Sequence, residues 1–411
     1  MSTMCVYKHF TLLLYSCCAL MMVSHVQARE YEPIKGGALE LGGFDLFPIL
    51  NFDHYYDSNV LRAPEGDVDG WVRVISPELI LVNEYDGNRF QLGYRLADGH
   101  YYSSEIDNYT DHFISAQFDL YANERHRFEL SSAYELGHDA RGTVFSIGSG
   151  NQLATPDEYV QTQVDGIYFY GAEDATGHLE LNINHTSLDY DVNTPNYLIR
   201  DRNFFSVGGT FYYRIAPATD ALIELRSTDI TYDFAQDITN PLDSIANSAL
   251  VGVRWNSTRN TAGFAKIGIQ QKNFDSPLRP DFSGSDWNVG VDWTPMDRTF
   301  FRLSTARDTF ETNGEGNFID NRSLALTWRH SWLERLRSEL NLQYGTNTYE
   351  GNTDGFITRT DDVSGMSAKL DYDFRRWLTL QLGYQFEQRQ SNRLAIDYDR
   401  HVLNFNIRVT L

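Results

Sequence analysis

The chain alternates apolar and polar residues over many short segments, and this two-residue period constrains its fold more than any other feature. Between Phe90 and Leu96, apolar side chains occupy every second position, with arginine, glutamine and glycine between them. The same alternation recurs in segments 114–120, 128–136, 287–293, 324–328, 340–344 and 378–386. Successive side chains of a β-strand point to opposite faces, so each segment predicts a strand with one apolar and one polar face.

The connections between these segments alternate in length. Short turns are predicted at 86–88, 123–125, 172–176, 216–219, 258–260, 295–297, 333–335 and 375–376. Longer polar loops are predicted at 139–159, 189–202, 274–285, 309–320 and 349–360. Short turns at one end and long loops at the other are typical of transmembrane β-barrels of the outer-membrane type.

The turns also give the number of strands. Eight short turns join eight pairs of strands, and a first strand near 48–56 and a last strand at 402–411 bring the prediction to about 18. Segment 160–170 fits either phase, so the even number is better determined than the value of 18. The sequence predicts an all-β fold: a single antiparallel, up-and-down outer-membrane β-barrel over residues 29–411, with both ends on the short-turn side.

A soluble all-β protein, such as a propeller or a sandwich, would also alternate, but three features favour the membrane barrel. The apolar faces approach the roughly 9–11 residues that a tilted strand needs to cross a bilayer. Tryptophans border the predicted turns and loops, as aromatic girdles do, and the chain ends on an alternating strand from Leu403 to Leu411. The residues expected to face lipid include Phe90, Leu92, Tyr94, Leu324, Leu326 and Leu380.

The N-terminus indicates the compartment. Lys8 and His9 precede an uncharged apolar stretch at 11–23, and 26–28 forms a small-x-small cleavage site before Arg29. Residues 1–28 are therefore predicted to be a signal peptide, and the barrel is expected in the outer membrane of a Gram-negative bacterium. A retained anchor helix is the alternative.

Charge and cysteine content exclude further classes. The formal net charge is −22 at pH 7, whereas nucleic-acid binding needs clustered cations, so we expect no nucleic-acid partner. All three cysteines, Cys5, Cys17 and Cys18, lie in the predicted signal peptide, which leaves the barrel without disulfides or thiolate sites. Lipid modification at Cys17 is a second alternative for the N-terminus.

No motif for catalysis or metal binding follows residue 28. The nine histidines from His54 to His401 form no H-E-x-x-H pair, and no G-x-S-x-G occurs. The segment 189–193 begins like a calcium loop, but Thr194 and Arg200 stand where glycine and glutamate are required. We predict no enzyme activity, no cofactor and no metal, although a catalytic group assembled from distant loops stays open.

If the apolar faces contact lipid, the charged residues between them line the lumen. The predicted lumen-lining residues are Arg89, Arg95, Asp119, Glu129, Glu224, Arg226, Asp292, Arg302, Lys369, Asp371 and Arg408, together with Glu135 and Glu339. Both signs alternate with Asn and Gln, which suits hydroxyl-bearing solutes better than it suits a strong ion filter. Tyr121, Tyr212 and Phe300 either point inward, where rings can stack on sugars, or belong to the girdle.

The opening strands resemble a known family. Segment 57–60 (Asp-Ser-Asn-Val) follows the first strand, an aspartate-rich loop occupies 66–69, and Ser-Pro-Glu-Leu stands at 76–79. With the hairpin partner at 88–94, the stretch 46–130 resembles the putative beta-barrel porins encoded in bacterial exopolysaccharide gene clusters. The resemblance implies an outer-membrane location and a role in polysaccharide export or its support, and it implies no functional residues.

Three functions stay open at this point: a barrel for exopolysaccharide export, a general small-solute porin, and a structural barrel that sheathes a partner protein. An inward-folded loop, for which 139–159 is the longest candidate, would favour the porin, and a wide, loop-free lumen would favour the sheath or a polymer conduit. The expected partners are outer-membrane lipid and lipopolysaccharide, the barrel assembly machinery and, for export, polysaccharide and periplasmic export components.

Overall fold

The computed structural model describes residues 37–66, 68–172, 175–191, 199–235, 238–258, 260–351 and 357–410. The predicted signal peptide and the terminal Leu411 lie outside these ranges. Within them, no helix is long and apolar enough to cross a membrane.

The described chain is built from strands. They are β1 (Leu39–Leu41), β2 (Phe44–Asp57), β3 (Gly70–Tyr85), β4 (Asn88–Tyr101), β5 (Tyr109–Asn123), β6 (His126–Asp139), β7 (Asp157–Tyr170), β8 (Gly177–Tyr190), β9 (Arg202–Ala216), β10 (Thr219–Tyr232), β11 (Ser244–Thr258), β12 (Thr261–Phe274), β13 (Phe282–Met296), β14 (Thr299–Glu311), β15 (Phe318–Leu333), β16 (Leu336–Glu350), β17 (Thr360–Arg375), β18 (Leu378–Ser391) and β19 (Tyr398–Thr410). Short 3-10 helices occupy Glu105–Asp107, Val144–Ser146, Gly150–Gln152 and Leu394–Ile396.

Strands β2 to β19 close into one barrel. Each pairs antiparallel with the next along the chain, and β19 pairs with β2 through a register that runs from Val402–Asp57 to Thr410–Ile49. This is the predicted 18-stranded antiparallel barrel. The short β1 pairs with residues 44–46 at the start of β2, before the residues of β2 that pair with β19. It adds a small hairpin at the short-turn end of the barrel. Closure leaves the 18-stranded wall without an unpaired edge.

The two ends of the barrel differ as predicted. The connections β3–β4, β5–β6, β7–β8, β9–β10, β11–β12, β13–β14, β15–β16 and β17–β18 are the eight short turns. The opposite end carries nine loops, named here L1 (58–69), L2 (102–108), L3 (140–156), L4 (191–201), L5 (233–243), L6 (275–281), L7 (312–317), L8 (351–359) and L9 (392–397).

Cross-strand pairing separates an apolar row from a polar row. Leu303 pairs with Leu326, Leu326 with Leu342 and Leu342 with Met366. One position along each strand, Arg302, Thr327, Asn341 and Ser367 form the neighbouring row. Directly paired residues share a face of the sheet, so the leucine row covers the outside and the polar row covers the lumen.

The outer wall carries aromatic side chains near both ends of the strands. Trp293, Trp332 and Trp377 lie beside short turns and Trp71 beside L1, each about half exposed. Amphipathic rings of this kind sit at the two boundaries of the apolar membrane layer. The predicted lipid-facing Leu92, Tyr94 and Leu324 are likewise exposed on this outer wall.

Candidate functional site

The eleven predicted lumen residues all lie in the inward-facing rows. Arg89 pairs with Asp119 and Asp119 with Glu129, while Asp292 pairs with Arg302, which continues the polar row described above. The same alternation places Arg95, Glu224, Arg226, Lys369, Asp371 and Arg408 inward. Tyr121, Tyr212 and Phe300 occupy inward-facing positions as well. The role of these residues in selectivity stays a prediction.

Many of the lumen charges neutralise one another. Arg302 holds Asp292 with two hydrogen bonds of 2.6 and 2.7 Å, and Lys266 Nζ donates to Glu224 at 2.7 Å. Pairs of opposite charge that remain in contact with water contribute little to stability. They do leave the middle of the lumen polar and locally neutral, which suits the passage of hydrated solutes.

L1 folds inward and covers part of the inner wall. Val60 and Leu61 pack with Val72, Val74 and Tyr101 in a cluster of buried apolar residues. Valines in inward-facing positions of a water-filled barrel would be exposed without this cover. Removing them from water favours the folded-in position of the loop by the usual hydrophobic gain of about 25 cal/mol per Å².

L3 crosses from its own hairpin to L1 and L2. A Cβ atom at Gly142 would lie 1.8 Å from the carbonyl oxygen of Leu61, so the two loop backbones approach as closely as only glycine permits. Arg141 donates two hydrogen bonds of 2.7 Å to the carboxylate of Asp107 in L2, and both side chains are buried. A bidentate, charge-assisted pair fixes direction as well as contact.

L3 also reaches loops on the far side of the barrel. The Asn313 side chain of L7 donates to the carbonyl oxygen of Val144 at 3.1 Å. A Cβ atom at Gly148 would lie 2.3 Å from the side chain of Ile396 in L9. L3 joins β6 to β7 and L7 joins β14 to β15, eight strands away on an 18-stranded ring, which is almost diametrically opposite.

The hairpin of β14 and β15 supplies part of this reach because its tip leaves the wall. Pairing between β13 and β14 ends at Trp287–Arg307, whereas pairing between β14 and β15 continues to Glu311–Phe318. Beyond the separation, Glu311 accepts hydrogen bonds from Lys272 of β12 and Tyr232 of β10. Only a tip that bends into the lumen can pass β13 and meet these strands.

Arg307 closes the gap that this bend opens. Its guanidinium donates to the Ser285 carbonyl at 3.0 Å and to the Ser285 hydroxyl at 2.7 Å on β13. It also holds Asp320 of β15 at 2.8 and 2.9 Å. Backbone polar groups at an interrupted strand pairing still need hydrogen-bond partners, and here a side chain replaces the strand-to-strand bond.

Ion pairs tie L7 to L8 and L9. Glu315 of L7 accepts from Arg359 of L8 at 3.3 Å and from Arg393 of L9 at 3.0 Å. Burial opposes the charge of Arg359, but its hydrogen bonds to Asp361 outweigh that effect and raise the pKa of the guanidinium. Arg359 therefore stays charged over the whole physiological pH range.

The loops together narrow the mouth. An 18-stranded barrel with strands about 4.8 Å apart and tilted by about 40° has a backbone diameter of roughly 35 Å. L3 extends over this opening and contacts both L1 and L7, so the lumen is not loop-free. Sequence reasoning identified the length of L3, but it gave no signal for the inward bend of the β14–β15 hairpin.

The described residues provide no metal site. No three His, Cys, Asp or Glu side chains in these ranges are grouped so that they could hold a metal ion.

The sequence of this chain matches a known protein family. A family model described as putative beta-barrel porin 2 matches residues 32–411. The chain belongs to this family. The family accounts for nearly the whole described chain, and it makes the protein a porin-like β-barrel of the outer-membrane type. A search of curated protein sequences found no match.

Solved structures agree on the fold of this family member. The outer membrane protein OpdK of Pseudomonas aeruginosa superposes with a TM-score of 0.50 at 12% identity, covering 89% of this chain and 99% of OpdK. OpdO of the same organism gives a TM-score of 0.50 at 14% identity, covering 89% and 97%. At such identities the likeness shows the fold alone. A bacterial polysaccharide outer membrane secretin reaches a TM-score of only 0.37 at 9% identity, covering 89% and 98%, and supports no argument.

Proposed function

We propose that this porin-family barrel is a channel for small hydrophilic solutes in the outer membrane of a Gram-negative bacterium. The observation that carries the proposal is the loop layer in which L3 meets L1 on one side and L7 on the other. Such a layer restricts passage by size, while the paired charges and amides below it give water and solutes polar contacts. The family and the barrel fold favour a channel over an enzyme.

Polysaccharide export, implied by the resemblance of the opening strands, stays a prediction. A hydrated polymer needs a continuous wide conduit, and the contact between Asn313 and Val144 places loop backbone across that path. A sheath for a partner protein needs the same free space. The geometry therefore supports the small-solute channel better than either alternative.

Liposome swelling tests this proposal. Purified protein in phosphatidylcholine vesicles should admit mono- and disaccharides and exclude oligosaccharides of about ten units. A variant in which two glycines replace residues 142–152 should extend the accepted size. Vesicles that stay impermeable to every sugar with both proteins would contradict the channel.

A gene deletion separates this function from export. If the deletion strain takes up small solutes normally but secretes less polysaccharide, the export function replaces the channel. If it secretes polymer normally and becomes less permeable to small nutrients, the channel is supported.

A further inference from the structure

Arg202 is a buried cation at the loop end of the lumen. It is the first residue of β9 and occupies an inward-facing position, since it pairs with Tyr232, whose hydroxyl bonds the lumenal Glu311. The residue exposes only 8% of its surface. Burying a charge without a partner is costly, so a counter-charge is expected beside it.

Among the residues that the structure describes, no carboxylate pairs with Arg202. Its Nη1 donates to the carbonyl oxygen of Arg200 at a long 3.4 Å, and its Nε is buried without a hydrogen bond. Nε and Nη2 form the edge of the guanidinium that binds a carboxylate or phosphate side-on. That edge donates to no described atom.

The neighbouring carboxylates are engaged elsewhere. Asp201 accepts the backbone N–H of Tyr190 at 2.8 Å, and Asp139 accepts the Tyr190 hydroxyl at 2.8 Å. Asp157 pairs with Arg200 at 3.1 Å. Each of these three carboxylates therefore bonds another group, and none forms an ion pair with Arg202.

Burial distinguishes Arg202 from other lumen arginines. Arg95 and Arg226 also lack an ion pair among the described residues, but both are only partly buried and water can solvate them. Phe145 of L3 and Phe204 of β9 flank Arg202, with their ring centres 5.8 and 5.7 Å from its Cζ. The rings exclude water from the guanidinium and strengthen its attraction for an anion.

L3 is held in the conformation that puts Phe145 beside Arg202. Val144, just before it, has a φ of 44°, a left-handed conformation that is costly for a β-branched residue. The hydrogen bond from Asn313 to the Val144 carbonyl helps to maintain it. Cζ of Arg200 lies 4.3 Å from the Phe145 ring centre, so a second guanidinium lies beside the same ring.

We propose that Arg202, with Arg200 and Phe145 beside it, binds the oxyanion of a small organic solute at the entrance of the channel. The proposal rests on the channel function and adds a substrate class to it: solutes that carry a carboxylate or a phosphate group. The anion accepts a hydrogen bond from Nη2 of Arg202 and supplies the missing counter-charge.

Three probes with similar carbon skeletons test the site: gluconate, glucose 6-phosphate and glucose. In planar bilayers containing the wild-type protein, gluconate or glucose 6-phosphate should reduce the KCl current saturably, and glucose should not. Reduction by gluconate alone assigns the site to carboxylates, and reduction by glucose 6-phosphate alone assigns it to phosphates. This measurement needs no variant and therefore no assumption about folding.

Variants then locate the site. Arg202→Gln should raise the half-blocking concentration about tenfold, the usual effect of losing a charged hydrogen-bond pair. Arg226→Gln removes the same charge from the neighbouring strand and should change it much less. Equal effects of the two variants, or block by glucose as strong as by the anions, would overturn the proposal while leaving the channel intact. Absence of any wild-type current would instead overturn the channel itself.

Discussion

At the residue scale, each strand residue faces either the lipid or the lumen, and consecutive residues face opposite sides. Leu342 lies in the outward leucine row, whereas Gln343, one position along, is exposed in the lumen. The same substitution at both sites therefore meets hydrocarbon in one case and water in the other.

Leu342→Arg should destabilise the folded barrel by about 2–4 kcal/mol, because the charge must enter the apolar layer near its middle. Gln343→Arg should cost less than about 1 kcal/mol. Urea unfolding in lipid vesicles measures both. Equal penalties would show that the two faces are wrongly assigned.

The surroundings of Gly142 determine which substitutions this position tolerates. Its φ is +83°, and a Cβ atom at this position would lie 1.8 Å from the Leu61 carbonyl oxygen. Gly142→Ala should separate L3 from L1 and increase the cleavage of L3 by added protease, with the barrel still resistant. Gly66→Ala is the matched control, since Gly66 has a φ of +73° and open space around it. Similar protease sensitivity in both variants would contradict the contact as the cause.

At the element scale, the last strand completes the barrel. Phe405 of β19 faces outward and pairs with Leu382 of β18 and His54 of β2, so it sits at the seam. Phe405→Asp puts a charge on the lipid face of the closing strand and should sharply lower the amount of heat-modifiable protein in the membrane fraction. Phe405→Leu keeps an apolar side chain and should assemble normally. Normal assembly of the Asp variant would show that the phase of β19 is wrong.

Elements also mark the boundary of what the sequence predicts. The alternation of apolar and polar residues and the spacing of the turns were enough to predict the strands, because the polarity of each side chain indicates which face of the sheet it occupies. The phase of segment 160–170 was ambiguous because the apolar Ile167 and Phe169 of β7 face inward. There the ring centre of Phe169 lies 3.8 Å from Cζ of Arg127. The bend of the β14–β15 hairpin depends on Lys272 reaching Glu311 past β13 and on Arg307 bonding Ser285 and Asp320, and no local sequence pattern indicates such contacts.

At the scale of the whole molecule, the barrel wall and the loop layer have separate tasks. Eighteen paired strands satisfy the backbone hydrogen bonds inside the membrane, which leaves the loops free to fold inward. L3 contacts loops on both sides of the mouth through Gly142 and Val144, and its removal is expected to widen the entrance without breaking the strands.

Single-channel conductance in planar bilayers measures whether the loops narrow the mouth of an open channel. The wild-type protein should give discrete, small current steps in KCl, and replacing residues 142–152 by two glycines should raise the step size severalfold, since L3 then no longer bridges to L1 and L7. Heat-modifiable migration in detergent gels verifies that both proteins are folded. Equal step sizes, or no steps from either folded protein, would contradict a channel whose mouth is narrowed by its loops.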